Sequence, residues 1–173
     1  MTRTYFTITV KIPAPPPLAW SVLADVERWP EWTASISRVK LLSPGPLQVG
    51  SRARVYQPKL PSAFWRVTEL APGRSFTWIS VAPGVRVTAG HTVDASAIGS
   101  RVTLSIHYEG LLGALLARWV GDLNARYLAL EAKGLKARCT DLAAKSRCTS
   151  MSGRKSFISC SKARGESGWA TNL

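Results

Sequence analysis

Between Ser35 and Glu109 the chain is cut into short runs that alternate apolar and polar residues, each closed by turn chemistry. The runs are 36–42 ISRVKLL, 52–57 RARVYQ, 63–70 AFWRVTEL, 74–81 RSFTWISV, 85–95 VRVTAGHTVDA and 101–109 RVTLSIHYE. Between them stand SPGP, KLPS, APG, APG and SAIGS, rich in the residues that turns require. Period-two runs joined by links this short predict antiparallel hairpins, because a parallel return needs a crossover of a dozen or more residues. The stretch 4–12, TYFTITVKI, alternates in the same way, so seven strands are expected.

After Gly110 the period becomes helical. Leu112, Leu115, Leu116, Trp119, Leu123, Tyr127 and Leu130 recur at three- and four-residue spacing and predict one apolar stripe. A helix over 111–144 is long enough to cross an entire sheet at about 1.5 Å per residue. Near the N-terminus, PAPPP ends the first strand. Pro16 or Pro17 then suits the first turn of a helix over about Leu18–Val26. VERWPEWT, residues 26–33, predicts a second short turn holding Trp29 and Trp32, with Pro30 resetting the chain.

Composition narrows the class. At 173 residues with 46% apolar content, the chain suits one domain with a real core, expected over 1–144. The most apolar window, GLLGALLARWVGDL at 110–123, is interrupted by Arg118 and Asp122, so no transmembrane segment is read. The N-terminus alternates instead of forming an apolar leader core. The three cysteines, Cys139, Cys148 and Cys160, are odd in number, late and without metal-site spacing. A cytoplasmic protein is expected.

The net charge of +13 is uneven: residues 1–144 hold 17 Lys/Arg and 9 Asp/Glu, and residues 145–173 hold 6 and 1. The segment 145–173, with its seven serines and no sustained period, has the composition of a disordered basic tail. Weak contact with an anionic surface through that tail is the partner its charge would suit. No RNP-like aromatic motif, zinc-finger spacing or arginine-rich recognition helix accompanies the charge, which argues against specific nucleic-acid binding.

The stretches LAWSVLADVERWPEW (18–32), VGSRARVYQP (49–58), FWRVTELAPGRSFTW (64–78), VRVTAGHTVDA (85–95) and YLALEAKGLKAR (127–138) together resemble the SRPBCC, or START-like, superfamily. The resemblance covers about residues 4–144 and is closest to the polyketide cyclase/dehydrase-like branch. It implies an α+β helix-grip fold, in which a curved seven-stranded antiparallel sheet wraps a long C-terminal helix and leaves an apolar cavity between them. That branch has no shared catalytic signature to carry over to this chain.

Strand parity supplies the lining. Val85, Val87, Ala89, His91 and Val93 share one face, as do Val102, Leu104, Ile106 and Tyr108. The same rule turns Gln57, Trp65, Glu69, Trp78 and Ser80 inward and His107 outward. The helix is expected to add Leu115, Trp119, Leu123 and Tyr127. By resemblance Trp29 and Trp32 close one end, Trp29 at the rim and Trp32 either at the rim or in the core.

Two readings of the polar lining stay open. Pairing the hairpins about their turns sets Tyr108 opposite Ala89 and diagonal to His91, where the two could act as acid and base on an enolisable polyketide. Alternatively each polar tip has a structural partner and only orients a ligand. Glu69 falls three strands away, about 14 Å, too far to join Tyr108. Burial predicts a neutral His91 ring at pH 7. With the histidines on opposite faces no metal cluster assembles, and no GxSxG, P-loop or GxGxxG motif calls for a cofactor. The expected function is binding of a hydrophobic small molecule, lipid-like or polyketide-like. The alternatives are an aromatase/cyclase or dehydratase using His91 and Tyr108, and a basic interaction module acting through the tail.

Overall fold

Alternation of the kind seen in TYFTITVKI needs a partner strand on at least one side and a covered face, and each run finds both. The computed structural model describes residues 4–152. The strands are β1 (Thr4–Ile12), β2 (Arg38–Leu41), β3 (Arg52–Tyr56), β4 (Ala63–Ala71), β5 (Ser75–Ala82), β6 (Val85–Ser96) and β7 (Gly99–Glu109). They form one sheet in the order β1-β7-β6-β5-β4-β3-β2, and every neighbouring pair is antiparallel. Only β1 leaves chain order: it pairs with β7, Thr4 opposite Tyr108 and Ile12 opposite Ser100.

The helix α1 spans Pro16–Ala24, with Pro16 in the first turn, where a missing N–H leaves no bond unmade. It begins and ends two residues earlier than the sequence suggests. A 3-10 turn, Val26–Glu31, follows directly and contains Pro30. The long helix α2 spans Gly113–Ser152 and lies against β1, β7 and α1. The fold is the expected helix grip.

Three local expectations fail, each for a physical reason. First, α2 does not stop near Ala144. Asp141 and Lys145 pair at 2.9 Å across one turn, and Ser146 Oγ donates to the Leu142 carbonyl, so the helix runs on past Ala143, the last buried residue among those whose burial is described. The tail expected from Lys145 therefore begins inside this helix, and its residues 153–173 lie outside the described residues.

Second, β4 carries a bulge. Val67 pairs with Trp78 but Glu69 pairs with Thr77, so Thr68 is an extra residue that breaks the alternation. Glu69 is turned out to solvent and Leu70 takes the inward place opposite Phe76. Third, α2 is rotated about 100°, one residue's turn, from the expected phase. Leu116, Val120, Asn124, Tyr127, Leu128 and Glu131 face the sheet. Trp119 is 88% exposed and Leu115 63% exposed.

Close approach explains that rotation. A β-carbon on Gly134 would overlap the Trp32 carbonyl oxygen, and one on Gly121 would touch the Phe6 ring. At Gly134, where the helix meets the Trp32 backbone, a small residue is required, and the bulkier leucines are left on the far side. Behind Gly134 the helix is packed tight: Ala132, Leu135, Cys139 and Ala143 are buried in the main core with Ile12, Leu23 and Val26. Burial also raises the Cys139 thiol to about 11, so it is an inert core group.

Candidate functional site

The inward parity of β3 to β7 builds the floor of a cavity, and the first half of α2 roofs it. Trp65 and Trp78 come from neighbouring strands with ring centroids 5.3 Å apart, and Trp29 from the 3-10 turn meets Trp78 at 5.3 Å. The cavity encloses about 200 Å³ between this indole cluster, Val55, Ala89, Leu104 and Ile106 below, and Leu116, Val120 and Leu128 above. Ligand cavities are built in this way, with an apolar wall and few polar groups, although usual volumes run from about 300 Å³ upward. Gln57, Leu60 and Pro61 line the side formed by the β3–β4 loop, and the Tyr127 hydroxyl donates to the Pro58 carbonyl there, tying that loop to α2.

Of the residues singled out from the sequence, Trp29, Gln57, Trp65, Trp78, Ser80, His91, Tyr108 and Tyr127 line the cavity. Trp32, Glu69, Leu115, Trp119 and Leu123 do not. Glu69 is displaced by the bulge, and Leu115, Trp119 and Leu123 by the rotation of α2. Trp29 is 2% exposed, a core ring and not a rim ring, held by its Nε1 donating to the Leu23 carbonyl at 3.0 Å. Trp32, half-buried, packs on Trp29 with centroids 5.9 Å apart and backs it from outside the cavity.

Three of the polar groups, Tyr108, His91 and Glu131, stand in separate places. Tyr108 lies opposite Val87, and His91 lies opposite Leu104, four positions along β7 from Tyr108. That offset is about 13 Å along the strand, so the expected diagonal pair does not form. The hairpin turn is two residues tighter than the turn residues suggest, Ser96 facing Gly99, which preserves faces and shifts partners. Tyr108 instead accepts a hydrogen bond from Asn124 Nδ2 at 2.6 Å, and burial raises its hydroxyl to about 12. It is a neutral, oriented group at any physiological pH.

His91 is stacked on Phe76 at 4.2 Å between centroids and 9° between planes, inside the indole cluster. Burial pushes its pKa down to about 3, with the Phe76 backbone opposing more weakly, so the ring is neutral. Its Nδ1 is buried without a hydrogen-bond partner among the described residues. His107 lies on the outer face, edge-on to Tyr5 at 6.1 Å.

The third place is one that the sequence reading misses. Glu131 lines the cavity from α2, and Ser35 Oγ, in turn bonded to Thr33 Oγ1 at 2.8 Å, donates to its Oε1 at 2.9 Å. Burial raises the carboxyl to about 7, and the Ser35 hydrogen bond offsets part of that shift. A signal is present in NARYLALE, residues 124–131: Glu131 follows Asn124 and Tyr127 at helical spacing on one face. Reading polar residues as solvent-facing hides it. Among the described residues no three His, Cys, Asp or Glu side chains are arranged to hold a metal ion. No helix among them is long and apolar enough to cross a membrane.

The same architecture recurs in solved structures of low sequence similarity. Ginseng major latex-like protein 151 from Panax ginseng superposes with a TM-score of 0.66 at 16% identity, over 80% of this chain and 99% of that one. Protein TTHA0849 from Thermus thermophilus gives 0.65 at 18% identity, over 82% and 99%. The di-domain ARO/CYC BexL from the BE-7585A biosynthetic pathway gives 0.60 at 20% identity, over 79% of this chain and 47% of that one. No curated protein sequence matches significantly. A family model described as polyketide cyclase/dehydrase and lipid transport matches residues 3–145, most of the chain. With the sheet, the gripped helix and the cavity in agreement with that match, the chain belongs to the polyketide cyclase/dehydrase and lipid transport family.

Proposed function

We propose that this protein binds a compact hydrophobic small molecule in the cavity between the sheet and the first half of α2. The observation that carries the reading is the cavity itself: about 200 Å³, walled by three indoles and aliphatic side chains, with polar groups at only a few points. Removing an occupant of that size from water supplies the driving force, at about 25 cal/mol per Å² of apolar surface buried. An acid–base reading through His91 and Tyr108 lacks a common reacting atom, since the two lie about 13 Å apart along the sheet. Binding needs only the cavity.

The test is titration with ethylnaphthalene followed by the protein's methyl chemical shifts, with Val120→Trp as the blocking variant. Val120 is half-buried and points into the cavity, so the larger ring fills it without replacing a core residue. Binding by the wild type and a tenfold or greater loss in a folded Val120→Trp support the reading. Equal binding by both would sink it.

A further inference from the structure

The chain carries 23 Lys and Arg against 10 Asp and Glu, yet among the described residues no Lys or Arg lines the cavity. The charged side chain that does is a carboxylate, Glu131. A site meant for fatty acids or other organic anions would place a cation there, and this one places the opposite charge. Glu131 has no ion-pair partner among the described residues. The nearest basic group on its own helix face, Arg138, two turns on, is taken by Glu31 at 2.9 Å. From the sheet side the titratable neighbours are His91, neutral, and Tyr108, bonded to Asn124. From α2 comes Tyr127, whose hydroxyl donates to the Pro58 carbonyl. From the segment after the 3-10 turn come only Ser35 and Thr33.

The rest of the wall suits the other end of such a ligand. Trp29, Trp65 and Trp78 line the cavity and offer broad apolar rings to its hydrocarbon part. The desolvation of the Glu131 carboxyl is already imposed by folding, so an incoming ammonium loses only its own hydration and gains a fixed, Ser35-oriented acceptor.

We propose that the cavity selects apolar amines, with the ammonium received by the Glu131 carboxylate, which Ser35 holds in place from behind, and the hydrocarbon lying against Trp29, Trp65 and Trp78. This rests on the cavity being the binding site proposed above. It adds a charge preference, which a plain apolar cavity lacks.

Three probes on one ring system separate the two ideas: ethylnaphthalene, its isostere naphthylmethylamine and the slightly larger naphthylacetate, followed by the protein's methyl chemical shifts at pH 8. The wild type is expected to bind the amine at least tenfold more tightly than the acetate and more tightly than the neutral hydrocarbon. Glu131→Gln, nearly isosteric, should lose about tenfold for the amine and little for ethylnaphthalene. A second measurement needs no variant. Amine affinity should rise from pH 5.5 to 8 as Glu131 ionises around its raised value of about 7, while ethylnaphthalene affinity stays flat. Ser35→Ala should move that midpoint upward, because the lost hydrogen bond favours the ionised form. Equal affinity for amine and hydrocarbon at pH 8 with no pH dependence would overturn the charge preference and leave the apolar cavity standing. Binding of none of the three would overturn both.

Discussion

The two halves of α2 share a helix and little else. From Ala132 to Ala143 the inward residues are small or tightly seated, and Leu135 is 0% exposed within the main core. From Leu116 to Glu131 the residues that face the cavity are half-buried or polar, with Ala117 buried beside them, while Leu115 and Trp119 stand in solvent on the other flank. The difference teaches that apolar content does not locate the core of this helix. Close backbone approach does, and at Gly134 it excludes any side chain. One half holds the fold together and the other is left free to line a site.

The largest effect that could break this division is at Leu135. Leu135→Ala should cost about 2–5 kcal/mol by chemical denaturation, the range for a fully buried leucine. Val120→Ala, at the cavity, should lose well under half as much. Equal losses would erase the distinction between the halves.

A pair of glycines sharpens it. Gly134→Ala places a methyl on the Trp32 carbonyl and should destabilise by about 1–3 kcal/mol. At Gly121 the added methyl meets only the edge of the Phe6 ring, 3.3 Å away. There the gain in helix propensity, about 1 kcal/mol, should leave Gly121→Ala neutral or more stable. Thermal melts of the two variants read the contrast directly.

Smaller effects come from the two perturbed groups in the cavity, and their signs oppose. Glu131 has a folded pKa of about 7 against an unfolded value of 4.5, so the unfolded chain releases its proton first. Its contribution is fully present below pH 4.5 and is lost as pH rises towards 7. His91 has a folded pKa of about 3 against 6.5, so its contribution is present above pH 6.5 and is lost as pH falls towards 3. Across the window from 4.5 to 6.5, Glu131→Gln should gain stability relative to wild type as pH rises, and His91→Gln as it falls. Each change should be on the order of 1 kcal/mol, read as the pH dependence of the denaturation midpoint. The smallest effect is at Trp119: Trp119→Ala should stay within about 0.5 kcal/mol of wild type and leave probe binding unchanged, as an exposed side chain outside the cavity.

How much of this is legible depends on the kind of information each feature needs. The seven strands, their turns and most inward faces follow from period-two alternation, which is local. The bulge at Thr68 is not local: a single extra residue leaves the pattern of AFWRVTEL unchanged yet turns Glu69 to solvent. Strand register differs by two residues at β6–β7 because parity fixes faces and not partners, and the expected His91–Tyr108 pair vanishes with it. The phase of α2 is misread because a helix with leucines on two flanks has two readable stripes. Glu131 and Asn124 escape notice because a polar residue shows its worth only when its partner, Ser35 or Tyr108, is known.

The central claim is that ligand meets the inner flank of the first half of α2 and not its leucine-rich outer flank. Intermolecular NOEs from ethylnaphthalene to assigned methyl groups test it most directly. The account predicts contacts to Val120, Leu128 and Ala89, with Leu135 silent in the packed half. Contacts confined to Leu112, Leu115 and the Trp119 ring would contradict it, placing the ligand on the exposed stripe.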